Sequence, residues 1–302
     1  MSSNHSINVS VIIPVYNQAE ALRITLKHFG NQSYPATDYE VVVVDDGSTD
    51  GLPERIHEPD WPQLPCRINY LRQENAGRAV ARNTGIAAAQ GEWLIFCDAD
   101  RVPHHNFIAL HAEWVMRRPR VAVIGCPWDY FGKMDLLQMP PDTPWENIQR
   151  YSKKPLYYLK VSRLFGPDGA MNSRIAWASF LVGNSSVKKT DLEKAGGFDP
   201  DFKAWGFEHF ELALRLQDSG VSFYHLPQAG NFHLPHPRGT GYYQTMIESS
   251  LEIVKAKHPN YPCELLGDFL MGKISLQDFE VGFGGTLSAQ LAEEKPIFNL
   301  IK

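Results

Sequence analysis

The chain has 302 residues, of which 43% are hydrophobic, and this is enough apolar material for one large domain or two small ones. Its formal net charge of −5 argues against a nucleic-acid-binding protein, because a surface that follows phosphates needs an excess of basic residues. We therefore expect no nucleic acid among its partners.

Membrane insertion and secretion are not expected either. No run approaches the roughly 18 to 20 apolar residues that span a bilayer, and residues 1–6 lack the basic start of a signal peptide. The four cysteines lack the CxxC spacing of zinc and redox sites; they are Cys66, Cys97, Cys126 and Cys263. A reduced, cytoplasmic chain without a transmembrane segment is the simplest interpretation.

The first hundred residues alternate between predicted strands and helices. Short apolar or β-branched runs predict strands at 9–15, 40–44, 67–71 and 93–97. Apolar residues at helical spacing predict helices at 18–29 and 77–89. This alternation predicts an α/β fold with a parallel sheet and right-handed crossovers.

The fourth predicted strand stops at two carboxylates, Asp98 and Asp100, which are separated by Ala99. The carboxyl ends of parallel strands border the ligand crevice, and residues i and i+2 of an extended segment project to the same side. Two like charges so close repel each other unless a cation relieves them, and a hard divalent ion such as Mg²⁺ or Mn²⁺ fits. Alone, the pattern favours a solvated turn, and the motifs around it reverse that preference.

No glycine-rich dinucleotide fingerprint or Walker lysine loop follows the first strand, where the chain reads Pro14-Val15-Tyr16-Asn17. Instead, four fragments resemble, in order and spacing, the N-terminal half of family-2 glycosyltransferases. They are Val11 to Asn17, Val43 to Asp50, Asn75 to Gly77 with Ala81 to Asn83, and Asp98 to Asp100. The resemblance implies the GT-A fold, with a mainly parallel central sheet flanked by helices, and a nucleotide-sugar donor, expected to be a UDP-sugar.

The resemblance also implies roles for individual residues. Pro14 and Tyr16 would border the nucleoside, and Asp46 would accept the N3–H of uracil. Arg82 would face the base or the diphosphate. Asp45 fits equally well as a turn acid that binds local backbone.

At the fourth strand, the family places the first acid of the motif near the ribose and uses the last one as a metal ligand. Asp98, Ala99 and Asp100 would therefore belong to the nucleotide-sugar site, with Asp100 holding the metal ion.

A second block, Gly196 to Leu216, resembles a segment shared by β-1,4-galactosyltransferases, chondroitin-type polymerases and polypeptide N-acetylgalactosaminyltransferases. Its Gly-Phe-Asp and Trp-Gly-x-Glu motifs imply that Trp205, Gly206 and Glu208 bind the acceptor. His209 departs from the pattern, because inverting members have an aspartate base at this position.

Glu208 and His209 are the candidate catalytic residues. An inverting transfer needs a general base for the acceptor proton, and imidazole, with an ordinary pKa of about 6.5, accepts protons at neutral pH. His209 would be the base, or Glu208 would be the base with His209 orienting the acceptor. We expect inversion, although the departure at His209 leaves retention open.

Two histidines complete the predicted metal site. At the distance where the resembling families supply a histidine ligand, this chain has His236, and His233 falls where galactosyltransferases use a methionine ligand. With Asp100, an imidazole ligand would favour Mn²⁺ over Mg²⁺.

Three regions follow from these motifs: a nucleotide-sugar-binding half at 1–125, an acceptor-binding and catalytic half at 126–240, and a helical C-terminal extension at 241–302. Residues 127–176 show no sustained period and predict a lid or binding loop. The extension would cover the acceptor side, form a dimer contact or bind a partner, and the oligomeric state stays open.

The sequence thus predicts a metal-dependent glycosyltransferase of the hexosyltransferase class. It would move a sugar from a nucleotide donor to a glycan, a lipid-linked saccharide or a peptide. A sugar-1-phosphate nucleotidyltransferase and a GT-A-like binding protein without catalysis are the alternatives. The first should carry a glycine-rich N-terminal signature, which Pro14 to Asn17 lacks, and the second should lose the Asp98 and Asp100 pair.

Overall fold

The computed structural model describes residues 7–133, 138–140, 143–203, 206–234 and 242–286, with the backbone alone for 242–245. Within these residues the chain forms one nine-stranded sheet. Its strands are β1 (Val9–Val15), β2 (Tyr39–Asp45), β3 (Arg67–Arg72), β4 (Trp93–Cys97), β5 (Arg101–Pro103), β6 (Val121–Tyr130), β7 (Ser152–Lys153), β8 (Asn184–Lys188) and β9 (Ser222–His233).

Helices cover both faces of this sheet. They are α1 (Ala19–Phe29), α2 (Leu52–Arg55), α3 (Arg78–Ala88), α4 (Phe107–Met116), α5 (Trp145–Gln149), α6 (Leu156–Val161), α7 (Lys189–Ala195), α8 (Glu208–Asp218), α9 (Tyr242–Lys257), α10 (Glu264–Leu270) and α11 (Leu276–Gly282). Short 3-10 turns lie at Ser162–Leu164 and Ala176–Ser179. None of the helices described is long and apolar enough to cross a membrane.

The strands at the centre of the sheet are buried on both faces because their side chains alternate between two cores. In β1, Ile12 packs into one core, while Val11 and Ile13 pack into the other. All five residues of β4 are buried as well. Runs of β-branched and aromatic residues without charge suit this position, which explains why the predicted strands at 9–15 and 93–97 are confirmed.

The predicted α/β class is confirmed, but parallel pairing holds for only part of the sheet. The strand order is β3-β2-β1-β4-β8-β6-β9-β5, with β7 paired to β6. The first four strands are mutually parallel. From β8 onward the sheet is mixed, since β8 runs antiparallel to both β4 and β6. An apolar run indicates burial without indicating strand direction, so this mixture could not be predicted from the pattern.

The stretch 127–176 is more regular than its lack of period predicts. Strand β6 continues four residues beyond Cys126 to Tyr130, past a β-bulge near Ile124. Strand β7 and helices α5 and α6 follow in the described part of this stretch. Strands β6 and β7 pair with distant or short partners and the two helices have only five and six residues, so no local periodicity marks these elements.

Sheet register brings distant residues to one edge. Asp98 and Asp100 follow β4, while β5 pairs with β9 so that Arg101 lies opposite His233. Strand β6 lies on the other side of β9 and places Asp129 opposite the same His233. The backbone N–H of Leu234 donates to the carbonyl of Asp100 at 2.8 Å, which fixes the end of β9 against the turn after β4.

The predicted helical character of the C-terminal extension is confirmed in the part that the structure describes, where three helices, α9 to α11, pack on residues 173–177 and on α8. The ring of Trp177 contacts that of Phe279 in α11 edge-on, with centroids 5.9 Å apart. The carboxylate of Glu280 accepts hydrogen bonds from Ser173 Oγ at 2.6 Å and from the Ile175 backbone at 3.3 Å. The extension therefore stabilises the segment that leads into β8.

A second set of contacts ties the extension to α8 and the loop before it. Lys257 Nζ lies 2.6 Å from a carboxylate oxygen of Asp199 and 2.7 Å from one of Asp201. His258 Nε2 lies 2.9 Å from Glu211 Oε1, and Glu211 also pairs with Arg215. The end of α9 thus holds both the loop and the helix that carry the second sequence block.

Candidate active site

A buried arginine joins the two motif blocks. Arg82 Nη2 donates to Asp98 Oδ1 at 2.9 Å, and Arg82 Nη1 donates to Glu208 Oε1 at 2.8 Å. The arginine is 1% exposed, and its guanidinium lies 5.4 Å from the centroid of the Phe198 ring. The prediction was that Arg82 faces the base or the diphosphate, whereas the structure gives two of its nitrogens carboxylate partners inside the protein.

The next residue of α3 holds the same loop. Asn83 Nδ2 donates to the carbonyl of Phe198 at 2.7 Å, and the Phe198 N–H donates back to Asn83 Oδ1 at 2.8 Å. Helix α3 therefore fixes the Gly-Phe-Asp loop through Asn83 and the start of α8 through Arg82.

Asp98 lies between two arginines. One carboxylate oxygen accepts from Arg82, and the other lies 3.6 Å from Arg101 Nε. Gly183 makes room for this pair, because a Cβ there would lie 2.5 Å from Arg101 Nε and 2.6 Å from Asp98 Oδ2. Asp98 is thus held by protein cations, which leaves Asp100 as the acid of the pair that faces the histidine of β9.

Asp100 contacts His233, as the predicted metal site requires. Asp100 Oδ2 lies 3.3 Å from His233 Nε2 and accepts a 3.1 Å hydrogen bond from Gln18 Nε2. His233 Nδ1 lies 3.3 Å from Asp129 Oδ1. Burial raises the pKa of Asp100, but His233 and Arg101 outweigh it and hold the pKa below the usual range. Burial alone would lower the pKa of His233, but the carboxylates of Asp100 and Asp129 have the larger effect, so the pKa is raised above its ordinary value.

A cleft of about 250 Å³ opens beside Asp100. It is lined by the start of α1 and by residues from three other segments, namely 17–21, Asp50, Asp100 and Leu234. The third predicted metal ligand, His236, lies outside the described residues. Within the part of the chain that is described, no group of three or more His, Cys, Asp or Glu residues is arranged to hold a metal ion.

The predicted base-binding residue, Asp46, already has several partners. Its carboxylate accepts from Gln73 Nε2 at 2.7 Å and from the backbone N–H groups of Ala76 and Gly77, each at 2.9 Å. A carboxylate offers about four lone-pair positions, so roughly one stays available for a ligand donor. The three contacts hold the carboxylate in a fixed position at the end of β2.

The other predicted nucleoside residues lie on the same edge. Tyr16 is 49% exposed, directly after β1, and Pro14 is partly buried within that strand. Asp45 is fully buried; it accepts from the Ser48 backbone at 2.8 Å and from the Tyr70 hydroxyl at 2.7 Å. Asp45 therefore binds the local backbone of the turn after β2, as the turn-acid interpretation of the sequence predicts.

Glu208 and His209 begin α8, where the helix dipole stabilises an anion. Glu208 is 2% exposed, and its Oε2 atom is buried without a hydrogen-bond partner, as is Nδ1 of His209. Burying a polar atom without a partner is costly, and a bound ligand that pairs with it would remove that cost. Gly206 has φ +99° and open space around its Cα, while Trp205 lies outside the described residues.

The environment of Glu208 affects which residue can take a proton. Burial raises the pKa of Glu208, but the neighbouring His209 and Arg82 outweigh it and keep the pKa far below the ordinary value. A carboxylate so strongly held in its ionised form is a poor proton acceptor. The structure thus shows Glu208 as an ionised group that is paired with Arg82.

Sequence reasoning missed a buried polar network behind the site. Asn184 Nδ2 donates to Ala229 O at 3.0 Å and to Asn231 Oδ1 at 3.1 Å, so its Oδ1 must accept from His111 Nε2, 3.0 Å away. His111 Nδ1 then accepts from Ser186 Oγ at 2.8 Å. Burial lowers the pKa of His111 to about 4, so the ring is neutral at pH 7. A histidine on the apolar face of a helix was the only sequence signal of this network.

Comparison with protein families gives two matches along the chain. The model described as glycosyl transferase family 2 matches residues 10–180. The model described as the N-terminal domain of galactosyltransferase matches residues 169–237. Between them they contain both motif blocks that Arg82 connects.

Curated relatives include validoxylamine A glucosyltransferase from Streptomyces hygroscopicus subsp. jinggangensis, which is 28% identical over 87% of this chain and 64% of its own length. Chondroitin synthase from Escherichia coli is 28% identical over 76% of this chain and 35% of its own length. The chain thus spans less than two thirds of either relative.

Solved structures share the fold. Staphylococcus aureus TarS 1-349 in complex with UDP-GlcNAc gives a TM-score of 0.60 at 18% identity, covering 90% of this chain and 71% of that one. The mannosyltransferase PcManGT from Pyrobaculum calidifontis, in complex with GDP-Man and Mn²⁺, gives 0.56 at 24% identity, covering 85% and 65%.

Proposed function

The chain belongs to glycosyl transferase family 2, and we propose that it transfers a sugar from a UDP-sugar to a hydroxyl-bearing acceptor, in a metal-dependent reaction with inversion. Residues 1–125 are proposed as the nucleotide-sugar half and 126–240 as the acceptor half. The acceptor is a glycan, a lipid-linked saccharide or a peptide side chain.

One observation carries this proposal: Arg82 connects Asp98, at the end of a strand in the first half, with Glu208, at the start of a helix in the second. A group-transfer enzyme must hold its two substrates within reach of each other. A guanidinium with one carboxylate on each side keeps the two halves in a fixed relative position at the point where they meet.

Asp46 supports uracil as the base. A carboxylate accepts hydrogen bonds and cannot donate one when ionised. With three protein donors already bound to Asp46, the position that stays available fits a single imino N–H. Uracil presents one such group at N3, whereas cytosine presents none there.

Asp100 and His233 fit a divalent cation. Ligand atoms about 2.1 Å from a metal ion and at right angles to each other lie about 3 Å apart, which is close to the 3.3 Å between Asp100 Oδ2 and His233 Nε2. Carboxylate with imidazole favours Mn²⁺ over Mg²⁺. A bound ion would neutralise charge that develops on the leaving diphosphate. His236 is proposed as a further ligand.

In the proposed reaction, the acceptor oxygen attacks the anomeric carbon of the donor and the bond from that carbon to the diphosphate oxygen breaks. The electron pair of the broken bond goes to the diphosphate. The acceptor proton goes to His209, because imidazole accepts protons at neutral pH, whereas both oxygens of Glu208 are buried and one is bound to Arg82. Glu208, with Trp205 and Gly206, binds the acceptor, and direct displacement by an activated hydroxyl inverts the anomeric configuration.

A cytoplasmic location is proposed from the thiols. All four cysteines are buried and none forms a disulfide. Free thiols are typical of a reducing compartment.

The test is UDP release from a panel of UDP-sugars with Mn²⁺, together with UDP binding, for the wild type, His209→Ala and the matched control His57→Ala. His57 is an exposed histidine far from Asp100 in sequence. His209→Ala should lower turnover by about 10²-fold or more while UDP affinity stays within about twofold. Equal losses of turnover and UDP affinity would refute the base role, and wild-type protein that releases no UDP would refute the enzyme.

A further inference from the structure

Three polar side chains lie in a row beside the cleft: Asp129 in β6, His233 at the end of β9 and Asp100 just after β4. Asp129 Oδ1 lies 3.3 Å from His233 Nδ1, and His233 Nε2 lies 3.3 Å from Asp100 Oδ2. The line is built into the sheet, because Asp129 of β6 is the register partner of His233 in β9. No feature of the sequence had singled out Asp129.

The chemistry of imidazole makes this order informative. To donate to Asp129, Nδ1 must carry a hydrogen, so a neutral ring has its lone pair on Nε2, on the side of Asp100. A protonated ring instead donates from Nε2 to Asp100, so in either state the carboxylate on Nδ1 keeps Nε2 directed toward Asp100. A carboxylate on the far nitrogen of a metal-binding histidine fixes its tautomer and ring orientation in many metalloproteins.

We propose that Asp129 is a positioning residue that holds His233 with Nε2 directed toward Asp100, so that the two atoms together bind the divalent cation. This inference rests on the metal dependence in the proposed function. Asp129 acts only through His233 and does not touch the substrate.

A surface ion pair without function would be the ordinary explanation of the Asp129 contact. The Asp129 side chain is 33% exposed, so its replacement opens no cavity in the core. Exposed ion pairs contribute little to stability, so a merely structural role would change stability slightly and cation affinity not at all. Cation binding therefore separates the two explanations.

The experiment measures Mn²⁺ binding to the full chain. Electron paramagnetic resonance reports the concentration of the free ion, and calorimetry is the second measurement. The variants are Asp129→Ala, Asp129→Asn, His233→Ala and the double variant Asp129→Ala/His233→Ala. Asp268→Ala is the matched control, because Asp268 also has a charged partner, Lys273 at 2.9 Å, but lies in the C-terminal extension.

Asp129→Ala should weaken Mn²⁺ binding about 10- to 100-fold, while Asp129→Asn, whose amide oxygen still accepts from Nδ1–H, should lose less. In the His233→Ala background the Asp129 change should have no further effect, since its only route to the cation is gone. Asp268→Ala should bind like the wild type.

Two results would overturn the inference. If the wild type binds Mn²⁺ and Asp129→Ala binds it equally well, or if the effect persists in the His233→Ala background, Asp129 is not a positioning residue and the proposed metal dependence stands. If the wild type does not bind Mn²⁺, the metal dependence fails together with the inference.

Discussion

Arg82 and Glu208 are 126 positions apart in the sequence and are joined by a 2.8 Å hydrogen bond in the interior of the protein. The same guanidinium binds Asp98, so one buried cation neutralises an acid from each half of the chain. The arrangement makes the position of helix α8 depend on a residue of helix α3.

Arg82→Met should destabilise the protein by about 3 to 5 kcal/mol, because it leaves the two carboxylates without their shared cation. Arg82→Lys should be intermediate in stability and should lose turnover, since an ammonium lacks the rigid fork that serves both acids. Urea unfolding measures the first effect. Arg78→Met is the control, an exposed arginine one turn earlier in the same helix, and a similar loss there would contradict the assignment.

Gly183→Ala should disturb the Asp98 and Arg101 pair. The added Cβ would lie 2.5 Å from Arg101 Nε, so the pair must shift at a cost of about 1 to 3 kcal/mol. We expect UDP affinity, measured by calorimetry with Mn²⁺, to fall about tenfold or more. Gly166→Ala is the control. Its added Cβ would lie 3.0 Å from Asp168 Oδ1, at the end of a side chain, and UDP affinity should stay unchanged.

Stability should fall between pH 7 and pH 5. Burial lowers the pKa of His111 to about 4, whereas the same histidine in the unfolded chain has a pKa of about 6.5. As the pH falls, the unfolded state therefore binds the proton at a higher pH than the folded state does. Acidification through this window therefore favours unfolding, by about 2 kcal/mol for this residue. Burial also lowers the pKa of His28 and of His225 to about 4, and both add in the same direction, whereas His233, whose pKa is raised, acts in the opposite direction.

The measurement is urea unfolding at pH 7 and pH 5 for the wild type and for His111→Gln. The variant should be less stable at pH 7, because Ser186 and Asn184 lose a partner, and should show a smaller change with pH. His57→Gln, at an exposed position, should keep the full change. An equal pH dependence in all three proteins would contradict the buried neutral state.

The contact between the C-terminal extension and α8 should contribute to stability mainly through Glu211. Glu211 is 2% exposed and pairs with both Arg215 and His258. Glu211→Ala leaves two partners without their counter-charge and should cost about 3 kcal/mol. Lys257→Met removes the pairs with Asp199 and Asp201, in which the lysine side chain is 30% exposed, and should cost less than about 1 kcal/mol. Glu264→Ala, at an exposed position, is the control. Urea unfolding should show the largest loss of stability for Glu211→Ala, a smaller one for Lys257→Met and the smallest for Glu264→Ala, and any other order would contradict the role of Glu211.

The sequence predicts the elements of the fold that are determined by neighbouring residues in the chain. Val9–Val15 and Trp93–Cys97 are strands because uncharged runs of that length fit only a doubly buried position, and both are confirmed. Strand β8 (Asn184–Lys188) has no such run, and the side chains of Asn184 and Ser186 bind Asn231 and His111, which lie far along the chain. Partners of that kind are set by tertiary packing.

The same limit applies to the site. The spacing of Asp98 and Asp100 and the presence of His233 are visible in the sequence, and the structure brings Asp100 and His233 together. The helical spacing of Arg78 and Arg82 cannot show that Arg82 turns inward, because its partner Glu208 belongs to another helix. Asp129 was missed for the same reason, as its role depends on pairing between β6 and β9.

The measurement that tests the account most directly is the thermal unfolding midpoint with UDP, GDP, CDP or dTDP, each with Mn²⁺, Mg²⁺ or EDTA. A ligand that binds only the native state raises the midpoint. We predict a rise with UDP that is larger with Mn²⁺ than with Mg²⁺, lost in EDTA and lost in Asp100→Asn. No rise with any nucleotide, or a UDP effect that persists unchanged in EDTA and in Asp100→Asn, would contradict a metal-dependent UDP-sugar transferase.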